Sequence, residues 1–379
     1  MTIRNPKFDD IRPYYDEEIP SAMKRIAASG AFNLMASYVF PNMEVETVRE
    51  LVSGLKTVDE FQRKIMYEVN CQVIKKTITK LSYSGIERLS PSKNYLFVSN
   101  HRDIMLDASL LQNILVDNGF ETSEITFGAN LMSNPTVVDI GKSNKMFKVE
   151  RCTGSTREFY LSSLHLSEYI RHTLLDKSQS VWIAQRNGRT KDGNDHTEPG
   201  LIKMFGMSRT DDKINSLSEL NIVPVAVSYE WEPCDVLKVL ELYESSKMAY
   251  VKKPGEDMNS ILTGLVSSKG RVNISVCEPI RTGELTKLGE LTLNNYNKEV
   301  AALIDRRIFR EYRLWPNNFI AHDLLYATSE YRDCYTEEEK NAFESHIQEL
   351  MKYEVDNPDL LREKFLGIYA NPVNNCSLL

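Results

Sequence analysis

Cysteine is sparse and scattered in this 379-residue chain: six thiols (Cys71, Cys152, Cys234, Cys277, Cys334 and Cys376) and no C-x-x-C pair. That excludes a zinc ribbon and a disulfide scaffold, and it suits a reducing compartment. Surplus positive charge is also missing. A net charge of −7 argues against a general nucleic-acid binder, because neutralising phosphates requires clustered Lys and Arg. The opening MTIRNPKFDDIRPYYDEE lacks the apolar stretch of a secretory signal, so cytoplasmic residence is expected. No repeat, low-complexity tract or Gly/Ser linker divides the chain. With 42% hydrophobic and 26% charged residues, the chain is globular and long enough for one large α/β domain with helical additions.

Long apolar runs are absent as well. The nearest is Ile26 to Met43, eighteen residues without a charge. Ser29, Gly30, Asn33, Ser37, Pro41 and Asn42 make it too polar for a comfortable span. A helix packed within the protein is expected there, with a helix dipping into a membrane interface as the alternative. The terminal Cys376-Ser377-Leu378-Leu379 has the outline of a prenylation box. Only one of its middle positions is aliphatic and no polybasic segment precedes it, so lipidation is not expected.

From Asp9 to about Leu81, apolar residues recur at three- and four-residue steps (Val48, Leu51, Leu55, Val58, Phe61, then Ile65, Val69, Val73, Ile74). This predicts a helical annex over residues 1–85. Between 86 and 290 short β-rich runs alternate with helical stretches. The runs are Tyr95 to Val98, Ile125 to Phe127, Phe147 to Val149, Val181 to Ala184, Ile222 to Tyr229 and Val272 to Val276. Such alternation predicts an α/β fold, a mostly parallel β-sheet flanked by helices. Residues 291–379 read as a helical C-terminal extension packed on the core, with a break at Tyr312 to Asn318.

Chemistry concentrates where the run ending at Ser99 meets Asn100-His101-Arg102-Asp103-Ile104-Met105-Leu106-Asp107. An imidazole leaving the carboxyl end of a buried strand is placed to accept a hydroxyl proton, and Asp107 is in reach to orient it. The plain alternative is a surface histidine followed by solvated helix acids. Three later segments recur at other strand ends: Phe147 to Arg151, Gln185 to Lys191, and Val223-Pro224-Val225. Arg151, Arg186, Arg189 and Lys191 suit phosphate, since the guanidinium fork binds oxyanions bidentately. Gly188 among them lets backbone approach an anion.

In order and spacing these blocks resemble the glycerolipid acyltransferase family, which includes lysophosphatidate and glycerol-3-phosphate acyltransferases. Asn100, His101 and Asp107 are similar to the family's N-H-x4-D block, with five residues in the interval here. Phe147 to Arg151 looks like its second block, Ala184 to Lys191 its third, and Val223, Pro224, Val225 and Tyr229 its fourth. The glutamate of the third block falls near Asn187 or Arg186, which suggests an atypical polar head on the acceptor. The resemblance covers residues 90 to 282. It implies an O-acyltransferase in phospholipid synthesis that takes a fatty acyl group from acyl-CoA or acyl-carrier protein to a phosphate-bearing glycerol acceptor. His101 and Asp107 would be catalytic; Asn100, Arg151, Arg186, Gly188, Arg189 and Lys191 would bind substrate. No metal or cofactor is expected. Peripheral or monotopic attachment at the inner face of a membrane is expected, the acceptor being a lipid.

Other candidates draw plain readings. His165 and His172 read as ordinary helix positions, with no partners to complete a metal set. Asp192 to His196 lacks the remaining ligands of a calcium loop and reads as a polar turn. Tyr312, Trp315 and Phe319 read as packing aromatics, with the headgroup boundary as the alternative.

Overall fold

The computed structural model describes residues 3–132, 134–150, 154–248 and 250–378. Its centre is a seven-stranded sheet in the order β1-β7-β6-β2-β5-β3-β4. The strands are β1 (Ile78–Ser84), β2 (Leu96–Ser99), β3 (Glu124–Gly128), β4 (Met146–Val149), β5 (Val181–Ala184), β6 (Ile222–Tyr229) and β7 (Gly270–Val276). All pairings are parallel except β6 with β7, so β1 and β7 run against the other five. The expected α/β class, with its mostly parallel sheet, is what forms.

β2 and β6 are buried along their whole length, which is why both read as continuous apolar runs. Alternation sorts their side chains. Leu96 and Val98 enter the core under helices Thr156–Arg171, Pro199–Gly206 and Leu293–Glu311. Tyr95 and Phe97 enter the opposite one, under helix Leu106–Asp117.

The helices between Ile19 and Met66 form their own apolar cluster, but the annex is not wholly helical. Residues 78–84, read partly as helix, extend the sheet as its edge strand β1, paired with β7. Only Ile78 of that strand is buried, so its sequence carries almost no apolar signal. Ile26 to Met43 packs inward through Ile26, Phe32, Ala36 and Val39. No described helix is long and apolar enough to cross a membrane.

The C-terminal extension begins inside the main core: Tyr296, Val300, Ile304 and Ile308 of helix Leu293–Glu311 are fully buried there. Helices Pro316–Tyr326, Glu337–Leu350 and Pro358–Cys376 then close a further cluster against helix Asp235–Ser245. The expected break is real and shorter, because Trp315 and Pro316 already start the next helix. Phe8 contacts the rings of both His165 and His172, which gives these two histidines a packing role. The Cys376 thiol faces the Phe309 carbonyl and is pushed up to about 11 by burial.

Candidate active site

The last bridge of β2 is Ser99 with Val225 of β6, and the next residue continues the ladder with a side chain. Asn100 accepts from the Val227 amide through Oδ1 at 2.7 Å and donates through Nδ2 to the Val227 carbonyl at 2.9 Å. The same Nδ2 reaches Asp195 at 3.2 Å. Asn100 is fully buried with both polar atoms engaged, which gives the expected substrate-binding residue a structural role. It clamps β2 to β6 and frees the chain to turn away at His101.

That turn is built around two carboxylates. Asp103 Oδ1 accepts from the amides of Met105 and Leu106, both at 2.9 Å, and holds the turn that leads into helix Leu106–Asp117. Asp107 Oδ2 accepts from the amides of Arg102 (2.6 Å) and Asp103 (2.9 Å) and lies 2.9 Å from His101 Nδ1. Its Oδ1 accepts the Tyr229 hydroxyl at 2.7 Å. Asp103 itself does not orient His101.

Burial works to raise the Asp107 carboxyl, but the bond and charge of His101, the Tyr229 hydroxyl and the Asp103 amide outweigh it and hold it below the ordinary value. Asp107 is therefore ionised and can only accept. Nδ1 must then carry the proton, leaving Nε2 as an acceptor, the tautomer a general base needs. The imidazole is 14% exposed and meets the Trp182 ring edge-on at 5.5 Å. The amides of Arg102, Asp103, Met105 and Leu106 at this helix start are all engaged by the two carboxylates.

The segment after β5 wraps the same turn. Thr190 donates its amide to the His101 carbonyl at 2.8 Å. Gly188 takes a left-handed φ of 76° and faces open space. Arg186 Nε and Arg189 Nη1 are buried without a hydrogen-bond partner, as are both amide atoms of Gln185. Unpaired guanidinium nitrogens beside a glycine turn suit an oxyanion. Lys191 is instead ion-paired with Glu241, so the structure separates it from the other two cations. Arg151 lies outside the described residues.

Beneath the turn lies a closed charge network. Arg102 contacts Asp195 Oδ2 through Nε (3.1 Å) and Nη2 (2.6 Å), and Glu232 through Nη1 (3.1 Å). Lys238 meets Glu232 and the Arg102 carbonyl, each at 2.6 Å. Asp195 also accepts from Thr190 Oγ1 at 2.6 Å. All four charged groups are buried, so two cations balance two carboxylates in low dielectric. The tie extends to the C-terminal helices, since Tyr369 accepts from the Glu232 amide and donates to Asp235 at 2.6 Å. The Asp192 to His196 turn thus contains a hub, Asp195. Nothing in its local pattern marks it as such, because Asn100 and Arg102, the partners that tie it to the turn, lie more than ninety positions away in the chain.

Fold and site together define an arrangement: an α/β domain with a carboxylate–imidazole pair and unpaired guanidinium nitrogens at the carboxyl edge of a mostly parallel sheet. Residues 80–228 match the family model described as Acyltransferase. That stretch of the chain is therefore an acyltransferase-type domain. No curated protein matches its sequence. Among solved structures it is similar to the 1-acyl-sn-glycerophosphate (LPA) acyltransferase PlsC from Thermotoga maritima, at 13% identity and a TM-score of 0.36, over 76% of this chain and 95% of that one. Likeness at that level adds no argument about the site. No group of three or more metal-ligating side chains gathers among the described residues.

Proposed function

We propose that the protein transfers a fatty acyl group from an acyl thioester, acyl-CoA or acyl-carrier protein, to a hydroxyl of glycerol-3-phosphate or lysophosphatidate. The observation that carries this reading is the saturated Asp107 carboxylate, which holds Nδ1 of His101 and leaves Nε2 as the free acceptor. In the proposed reaction Nε2 removes the acceptor hydroxyl proton as the oxygen attacks the thioester carbonyl. The tetrahedral intermediate expels the thiolate, and the imidazolium returns the proton to sulfur. Asp107 stabilises the imidazolium as it forms. Arg186 and Arg189, with Arg151 where the family resemblance puts it, hold the phosphate and supply orientation. The enzyme works at the inner face of a membrane, attached without a span.

The test is a panel of acceptors offered with acyl-CoA and acyl-carrier-protein donors to wild type and His101→Ala. General-base assistance is worth about 10² to 10⁴ in rate, so the variant loses that factor and keeps its fold. Activity retained in His101→Ala refutes the reading. Asn187, exposed where the family's third block has its glutamate, favours including amino-acid-derived lipid acceptors in the panel.

A further inference from the structure

Arg102, the residue after His101, is held at each of its polar ends. Its amide donates to Asp107 at 2.6 Å and its carbonyl accepts from Lys238 Nζ at 2.6 Å. Its guanidinium is divided between two loops. Residues 192–195 offer it Asp195 Oδ2 and, at 3.4 Å, the Gly193 carbonyl. Residues 230–234 offer it Glu232, which Lys238 also meets. A side chain only 1% exposed and anchored in this way leaves the backbone beside it little freedom. Displacing either loop moves Arg102, and His101 with it.

Both loops rest on one helix, Pro358–Cys376. On the first loop, Asn371 donates through Nδ2 to the Asp192 carbonyl at 2.7 Å. Gly193, at φ 75°, lies so near the helix that a Cβ would collide with the Ile368 carbonyl oxygen. The sequence explains why that carbonyl faces outward. Pro372 stands where a regular helix would supply an N–H to Ile368, and it has none to give. On the second loop, the Glu232 amide donates to the Tyr369 hydroxyl oxygen at 3.1 Å, so the hydroxyl proton goes to Asp235 Oδ2 at 2.6 Å. Without that hydroxyl the Glu232 amide has lost its acceptor.

Stability alone does not require these bonds. Leu361, Phe365 and Leu366 already bury the helix in the C-terminal apolar cluster, and apolar burial has no direction. Hydrogen bonds do, and here they point at the two loops that hold Arg102. The helix and the second loop lie beyond residues 80–228, the stretch that matches the family model, so this support reaches the base from outside that stretch.

We infer that helix Pro358–Cys376 positions the base: Tyr369 and Asn371 are positioning residues that fix Arg102 from two sides and, through it, the direction of the His101 ring. This rests on the acyl-transfer reading above, in which His101 is the base. Neither residue touches the reacting atoms.

The test compares the full chain as wild type, Tyr369→Phe, Asn371→Ala and the control Leu361→Ala, which loosens the same helix within its apolar cluster. Steady-state transfer gives kcat and acceptor KM, and thermal melts give Tm. The nitrogen-15 and proton resonances of His101 Nδ1–H report its bond to Asp107 without turnover. Tyr369→Phe loses about ten-fold or more in kcat, since a misplacement of about 1 Å can cost about 10²-fold. Its acceptor KM is unchanged and its His101 resonance shifts; Asn371→Ala moves both readouts in the same direction. Leu361→Ala, assayed below its melt, lowers Tm and moves neither. The inference is overturned if folded Tyr369→Phe keeps the wild-type kcat or the wild-type His101 resonance. It is also overturned if Leu361→Ala loses as much kcat for the same fall in Tm, which would make the role of the helix structural. Should Tyr369→Phe not fold, Asn371→Ala, at a partly exposed position, decides by the same criteria. If no acceptor is turned over, the resonance decides alone: a shift upholds the positioning while the acyl-transfer reading fails by itself.

Discussion

Replacing Asp107 by Asn isolates one contribution to the chemistry, because the surroundings dictate how the amide must sit. Oδ2 accepts two backbone amides and faces Nδ1 of His101, so only the Asn oxygen fits that position. The Asn amino group then takes the place of Oδ1 and donates to Tyr229, whose hydroxyl rotates to accept. Proton positions on His101 are preserved. This differs from a Ser-His-Asp triad, where the same substitution inverts the tautomer and costs about 10⁴ in turnover. Here the loss is confined to charge. An ion pair with about 4 Å between charge centres at an effective dielectric of about 20 is worth about 4 kcal/mol. Partial exposure of the ring screens some of this, so the expected loss is about 2–3 kcal/mol, or 30- to 150-fold in kcat. Two measurements check it: single-turnover acyl transfer beside His101→Ala, and nitrogen-15 resonance of the imidazole. A kcat as low as that of His101→Ala, or a proton found on Nε2, refutes the reasoning.

The buried network predicts that Arg102→Met destabilises the fold strongly, because Asp195 and Glu232 keep only Lys238 as a cation. Breaking such a cluster costs about 3–5 kcal/mol, read as a lower urea midpoint with an unchanged m-value. Lys269 gives a pH signature. It is buried against Thr77 and Ser267, with Asp103 and Cys234 nearby, and burial lowers its ammonium to about 8. Between that value and its ordinary 10.5, the unfolded chain binds the proton that the folded chain has lost. Stability therefore rises with pH through this window. Lys269→Met removes that rise, so denaturation of wild type and variant at pH 7 and pH 9.5 should show a smaller difference between pH values in the variant; equal differences would contradict it.

Local pattern alone determined much of this protein. Continuous apolar runs such as Leu96–Ser99 and Ile222–Tyr229 specify strands buried on both faces, and Asn100-His101 at the end of one marks where the carboxylate–imidazole pair forms. Those signals are short-range, a period and a neighbour. Strand β1 was not legible for the converse reason, since an exposed edge strand needs few apolar residues. Tertiary structure alone decided between Asp103 and Asp107, because both are near His101 in the chain and only folding shows that Asp103 holds the turn while Asp107 meets the ring. It also turned Asn100 from a candidate ligand into a rung of the sheet, paired Lys191 with Glu241, and made Asp195 the hub of a charge network. Each of those outcomes depends on a partner fifty or more positions away, which no periodicity or local spacing encodes.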